Sequence, residues 1–334
     1  MLSFLVNLTP LGIPESVKNA MIESLSDVYD YPDKSKKNLA KAISQRYHVP
    51  TEYICVGNGA SDVIFRTVFA LRPKKAMILA PMFGQYERAL NRVDAEVCYY
   101  NVNHEDFKVH EDIMDQITQD MDMICICNPN NPTGTIMTKE EVIKVAEHCQ
   151  KMDCWFVLDE CFLEFVEDGD NYSVMDQLES FDKLIIIKSF TKMYGIAGLR
   201  LGYALSAKEG LASTIDMFGC EWNVNRVAEA AGLAALEAID YEQMVLEHTT
   251  RERKWLQQEL SNFGFRVMDS VANFVFFEAP AGEKMNLGQW LMERDIEVCP
   301  CDKYKNASAD YYRVAINTHD NNVKLIDMIG GWVG

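Results

Sequence analysis

Apolar and polar positions alternate along this chain in two rhythms. Short, nearly continuous apolar runs bounded by charge or turn residues fall at 53–56, 76–79, 96–100, 123–127, 155–158, 184–187 and 202–205. "KLIIIK" at 183–188 is typical, an apolar stretch closed by a lysine at each end, which is the mark of a strand buried on both faces. Between them lie segments with helical spacing at 38–47, 60–70, 86–91 and 139–151. Strands alternating with helices predict an α/β fold, a mostly parallel seven-stranded sheet flanked by helices on both faces. From about residue 222 the rhythm changes. A long helical stretch through "RVAEAAGLAALEAI" and "EHTTRERKWLQQELSNFG" leads to "FRVMDSVANFVFFEAP" and "YYRVAI". Residues 31–225 are therefore expected to form a large domain, and residues 1–30 with 226–334 a smaller α/β domain.

Composition narrows the functions open to such a fold. With 334 residues, 48% of them hydrophobic, the chain can bury a large core. Its net charge of −18 argues against nucleic acid or an anionic membrane as partner, since both would be repelled. Any anion site must be local, built from a few placed arginines and backbone N–H groups. No stretch has membrane-spanning length and no basic leader precedes an apolar run. The ten cysteines lack zinc-site spacing, so no metal is expected. Cys125 and Cys127, two apart on a strand, read as core packing, as do Cys299 and Cys301 in "CPC". A reducing, cytoplasmic setting follows.

Chemistry-bearing residues gather at strand ends, where open α/β sheets keep their ligands. "CVGNGASDVIFRTVFA" (55–70) runs strand, glycine turn, helix, so the N–H groups of Gly59, Ala60 and Ser61 lie at a helix start suited to phosphate. The same turn also reads as an ordinary helix start capped by Ser61 and Asp62. "ICNPNNPTG" (126–134) can aim one amide, Asn131, from a loop stiffened by proline. "WFVLDECFLEF" (155–165) places Asp159 at the end of an apolar strand, where a carboxylate needs a cationic partner. "SFTKMYGIAGLRLGY" (189–203) carries Lys192 just past a strand, with Ser189 and Arg200 close in sequence. A lysine that can form a Schiff base, phosphate donors and a carboxylate for a ring nitrogen together match what pyridoxal 5'-phosphate (PLP) requires.

"NPNNPTG", "LDECF" and "SFTKMYGIAGLRLGY" also resemble the signatures of fold-type I PLP-dependent enzymes of the class I/II aminotransferase superfamily. The resemblance extends over nearly the whole chain. It implies Lys192 as the Schiff-base lysine, Asp159 as partner of the pyridine nitrogen, Asn131 on the ring hydroxyl and Phe83 in "APMFGQYERAL" stacked on the ring. It further implies Arg313 in "YYRVAI" as the arginine for a substrate carboxylate, Asn7 in "VNLTPLG" at the substrate, and Tyr31 in "YDYPD" reaching the cofactor phosphate of a neighbouring subunit, hence a homodimer acting on a small amino acid.

Two branches are similar, and they differ in reaction: L-threonine-O-3-phosphate decarboxylases, which serve cobalamin biosynthesis, and histidinol-phosphate aminotransferases. "VNLTPLGIPESVKNAM", "EWNVN" and Phe162 in "DECF" resemble the decarboxylases; aminotransferases usually carry a tyrosine at that last position. Both branches carry an arginine for a substrate phosphate where "IEVCPCDKY" has Cys299 or Pro300. The segment that precedes "MLSFLVN" in the decarboxylases is also missing here. A substrate without phosphate, or a replacement contact from Lys303, Lys305 or Arg226, is the expectation these departures raise. A non-catalytic PLP-binding protein is the third reading.

Overall fold

The computed structural model describes residues 1–280 and 285–334. A two-residue strand, β1 (Leu2–Ser3), precedes seven strands: β2 (Ile54–Gly57), β3 (Lys75–Ala80), β4 (Glu96–Asn101), β5 (Met123–Cys127), β6 (Trp155–Asp159), β7 (Leu184–Ser189) and β8 (Gly202–Leu205). They form one sheet in the order β2-β8-β7-β6-β5-β3-β4. All run parallel except β8, which is antiparallel to both its neighbours. Every residue of β5 and β7 is buried, as helices on both faces of a parallel sheet require. The seven apolar runs of the sequence are the seven strands. Tyr53 is the exception, lying in a 3-10 turn that leads into β2.

Predicted helix 139–151 is Lys139–Lys151, held at its start by a capping box in which Thr138 and Glu141 each satisfy the other's backbone N–H. The long helical stretch near the C-terminus is two helices, Arg226–Leu236 and Ile239–Asn262. The first buries Ala228, Ala231 and Ala235 in the core of the large sheet.

After Ile239–Asn262 come β9 (Arg266–Val267), β10 (Phe274–Glu278), β11 (Ile296–Glu297), β12 (Cys299–Pro300) and β13 (Tyr311–Ala315). Strands β12-β13-β10-β9 make an antiparallel sheet, while β11 pairs with β1. The period-2 alternation of β13 decides what reaches the large sheet. Tyr312 and Val314 enter a second apolar core with Phe4, Leu256 and Leu325, whereas Tyr311 joins the first core. Arg313, two residues on from Tyr311, shares its face and so points the same way.

Chain order jumps between β3 and β5, since β4 lies outside β3 and the chain then returns to the other side. This is the switch point of the sheet, where a crevice opens beyond the strand ends. The Asn130 amide donates to the carbonyl of Pro81 at 3.0 Å across it.

Candidate active site

A cavity of about 320 Å³ opens at that crevice. Asn7, Ala60, Ser61, Phe83, Asn131, Asp159, Ser189, Lys192, Arg200 and Arg313 all line it. Residues separated by three hundred positions are gathered because β2, β3, β5, β6 and β7 each end there and β13 closes one side.

Gly59 lies just behind the lining, at φ +89°. It caps the helix Ala60–Leu71, and no side chain caps that helix start. Asp62 turns back to accept the Asn58 N–H at 2.9 Å and to pair with Arg66, so capping by Ser61 and Asp62 is not what the fold adopts. The first-turn N–H groups stay open, with Ala60 and Ser61 on the cavity wall, an arrangement suited to phosphate. A Cβ on Gly59 would sit 2.7 Å from Arg200 Nη2. Gly59→Ala therefore has both a backbone and a steric cost. It should lower the melting temperature by the equivalent of about 1–3 kcal/mol and weaken phosphate-ester binding at least tenfold by titration; unchanged affinity would remove this cradle from the site.

Asp159 is 5% exposed. Its Oδ1 accepts the Cys161 N–H at 2.9 Å, and its Oδ2 accepts the Tyr86 hydroxyl at 2.9 Å and the Cys127 thiol at 3.7 Å. Cys127 is thus more than core packing, for it touches the carboxylate and lines the cavity. Next along the chain, fully buried Glu160 pairs with Lys188 at 3.5 Å and accepts from Ser173, tying the ends of β6 and β7 together. Burial pushes the Glu160 carboxyl up, against the pull of Lys188.

Arg313, 7% exposed, donates through Nη1 to Asn131 Oδ1 and through Nη2 to the Leu5 carbonyl, both at 2.6 Å. Its Nε, like Asn7 Oδ1, is buried without a partner among the described residues. With Oδ1 of Asn131 taken, the polar group that amide still offers is its NH2. Lys192 Nζ lies 5.1 Å from the centre of the Phe162 ring, and the Lys192 carbonyl accepts the Thr9 N–H at 3.1 Å. The Ser189 hydroxyl bonds that of Thr191 at 2.7 Å. Unpartnered buried polar atoms, open helix N–H groups and a lysine beside a carboxylate-bearing strand end fit a phosphorylated aldehyde with a basic ring.

Some expected residues lie elsewhere. Tyr31 is 76% exposed, 4.8 Å from the Trp222 ring and outside the cavity. Arg226 donates to the carbonyls of Asp30 and Tyr31. Lys305 sits over Tyr99, 3.7 Å from Glu87, and with Lys303 lines a neighbouring cavity behind Phe83. Sequence reasoning placed Asn7 at the site but missed Tyr86, Cys161, Thr191 and, on either side of Asn7 in the N-terminal arm, Leu5, Val6 and Leu8; only Tyr86, three residues from Phe83, carried any signal.

Cys299 stands opposite Arg313 in the ladder. The neighbouring Cys301 side chain, aided by the Arg313 charge, brings the Cys299 thiol down to about 6, while the Cys299 side chain and burial push Cys301 up. Alkylation of Cys299 should accordingly rise through about pH 6 and level off by neutrality, earlier than an ordinary thiol near 8.5. Peptide mapping after iodoacetamide checks this; a rise only above pH 8 would refute it.

This fold and site define a PLP-dependent class, and the chain belongs to it: the aminotransferase class I and II family matches residues 1–329. Its members named below are decarboxylases and aminotransferases, and this chain is a PLP-dependent enzyme of the same family. It is 30% identical over 328 residues to threonine-phosphate decarboxylase of Salmonella typhimurium, spanning 98% of this chain and 89% of that one. It is equally 30% identical over 325 residues to histidinol-phosphate aminotransferase of Methanococcoides burtonii, spanning 96% and 87%. Among solved structures, histidinol-phosphate aminotransferase from Clostridium acetobutylicum superposes with a TM-score of 0.93 at 29% identity, covering 100% of this chain and 99% of that one. Among the described residues no helix is long and apolar enough to cross a membrane, and no group of three His, Cys, Asp or Glu could hold a metal.

Proposed function

We propose that this chain decarboxylates a small amino acid in the manner of an L-threonine-O-3-phosphate decarboxylase. The observation that carries a reaction at the amino acid α-carbon is the meeting of Lys192, Asp159 and Arg313 in one cavity. When bound, pyridoxal phosphate supplies an aldehyde that takes up an amine and a conjugated ring that accepts the electron pair freed at the α-carbon. Lys192 supplies the amine that holds the cofactor and later moves protons at that carbon. Asp159 holds a proton on the ring nitrogen, and the Asn131 NH2 serves the ring oxygen. Phe83 would lie against the ring, while Gly59, Ala60, Ser61, Ser189 and Arg200 would hold the phosphate.

Arg313 and Asn7 hold the substrate. By choosing which substrate anion it grips, Arg313 would set which group at the α-carbon is left free to react. Gripping a distal phosphate would leave the carboxylate free to be lost as carbon dioxide; gripping a carboxylate would leave the α-proton for Lys192 to move in amino transfer. Phe162 favours the first outcome through the resemblance, because it stands where aminotransferases usually carry a tyrosine and the decarboxylases do not. The second outcome, an aminotransferase of the histidinol-phosphate type, is the alternative reading. Cys299 separates neither branch from the other, because beside Arg313 it adds no cation for the phosphate that both substrates carry, and it favours instead a substrate without phosphate. The alternative of a non-catalytic PLP-binding protein has no missing residue to support it.

A second copy of the chain completes this reading. Leu25, Val28, Tyr29, Met217 and Phe218 expose apolar side chains, as does Trp222 beside Tyr31. Covering them in a homodimer would bring Tyr31 to the partner's cofactor phosphate. Sedimentation of the holoenzyme as a monomer would remove Tyr31 from the site.

Single-turnover mixing of PLP-loaded protein with O-phospho-L-threonine, or with L-histidinol phosphate and 2-oxoglutarate, tests the reaction. Carbon dioxide from the first, released without 2-oxoglutarate, is the expected result. Glutamate formed from the second would replace decarboxylation by amino transfer.

A further inference from the structure

We propose that Tyr86 is a positioning residue that aims Asp159 at the cofactor's ring nitrogen. This rests on the assignment of Asp159 made above.

Tyr86 has no solvent exposure, yet keeps its hydroxyl on Asp159 Oδ2 at 2.9 Å. A phenylalanine would fill the same space without burying a polar atom, so packing alone does not explain the hydroxyl. Three elements converge on the carboxylate: the helix Gln85–Asn91 through Tyr86, β5 through the Cys127 thiol, and the turn after β6 through the Cys161 N–H. Two donors on Oδ2 and one on Oδ1 fix the plane of the group, and an ionised carboxylate has about four acceptor positions. One position remains for a donor in the cavity that Asp159 lines.

Burial, reinforced by the Asp159 charge, holds Tyr86 well above the ordinary phenol range. The same causes hold the Cys127 and Cys161 thiols well up. All three stay protonated across the working range, so Tyr86 only donates and never competes with Asp159 for a proton. Phe83 lies three residues before Tyr86, on the segment that opens this helix. The side chain assigned to the ring and the one aiming the carboxylate are therefore carried on one segment.

The test compares Tyr86→Phe, Asp159→Asn and the double variant, all as PLP-loaded full chains. The readouts are the cofactor dissociation constant by fluorescence titration and the pH midpoint of the bound cofactor's visible absorbance. Tyr86→Phe should weaken cofactor binding about tenfold and move that midpoint, with the apoprotein's melting temperature nearly unchanged. In the Asp159→Asn background the same change should do less than about twofold, because a residue acting through another loses its effect when that other is removed. Equal effects in both backgrounds would reduce Tyr86 to packing and overturn the proposal. Wild-type binding and midpoint in Tyr86→Phe would overturn it too. If Asp159→Asn alone changes neither readout, the Asp159 assignment falls and the proposal with it, a result distinguishable from failure at Tyr86.

Discussion

Lys192→Ala is expected to lose the visible absorbance of the lysine-bound cofactor and to slow turnover by about ten-thousandfold, the scale seen when a covalent catalyst's reacting group is removed. The fold should survive, because Lys192 is partly exposed to the cavity and it is the backbone carbonyl, unaffected by the substitution, that binds Thr9. PLP should still bind, more weakly, through the phosphate cradle at Gly59, Ala60 and Ser61. Stopped-flow absorbance and a melting curve check both halves. Wild-type turnover in this variant would end both the decarboxylase and the aminotransferase readings.

The second large effect belongs to Arg313. Arg313→Leu should lower kcat/KM by about a hundredfold or more, roughly 3 kcal/mol of lost charge-assisted contact. It also strips donors from Asn131 Oδ1 and the Leu5 carbonyl, which the guanidinium holds at 2.6 Å. Arg313→Lys keeps the charge but has no fork to serve Asn131, Leu5 and a substrate anion together, so at least a tenfold loss should persist. Steady-state kinetics on both variants decides. Loss confined to Leu, with full activity in Lys, would mean that charge alone matters there.

Much of this architecture was written in local pattern. Buried parallel strands need no partner information to announce themselves, because both faces are apolar, and 184–187 or 123–127 read as strands on that ground alone. The helix Lys139–Lys151 was equally plain from its helical spacing, while its capping box at Thr138 and Glu141 came with the structure. Lys192, Asp159 and Asn131 were legible because each follows a recognisable strand, and strand ends are where such sheets bind.

What stayed hidden depends on distance along the chain. The glycine cap of Ala60–Leu71 looked interchangeable with a Ser61 or Asp62 cap, since capping is settled by where Arg66 and Asn58 draw the Asp62 carboxylate. Cys127 looked like core, because its contact with Asp159 crosses from one strand to the next in a register no local pattern prints. Tyr86 reaches that carboxylate across 73 positions. Arg313 meets Leu5 across 308.

The strands and helices followed from short-range periodicity, and the strand-end residues and the cofactor chemistry they suit from short motifs and their resemblance to a family; all of these depend only on neighbouring residues and the geometry of one element. Which donors surround the Asp159 carboxylate, how the N-terminal arm closes over Arg313, and why Cys299 faces that arginine were decided by strand register and packing between remote elements. Hydrogen bonds act over a few ångströms of space, with no regard to separation along the chain, so those contacts exist only once the whole fold has brought their partners together.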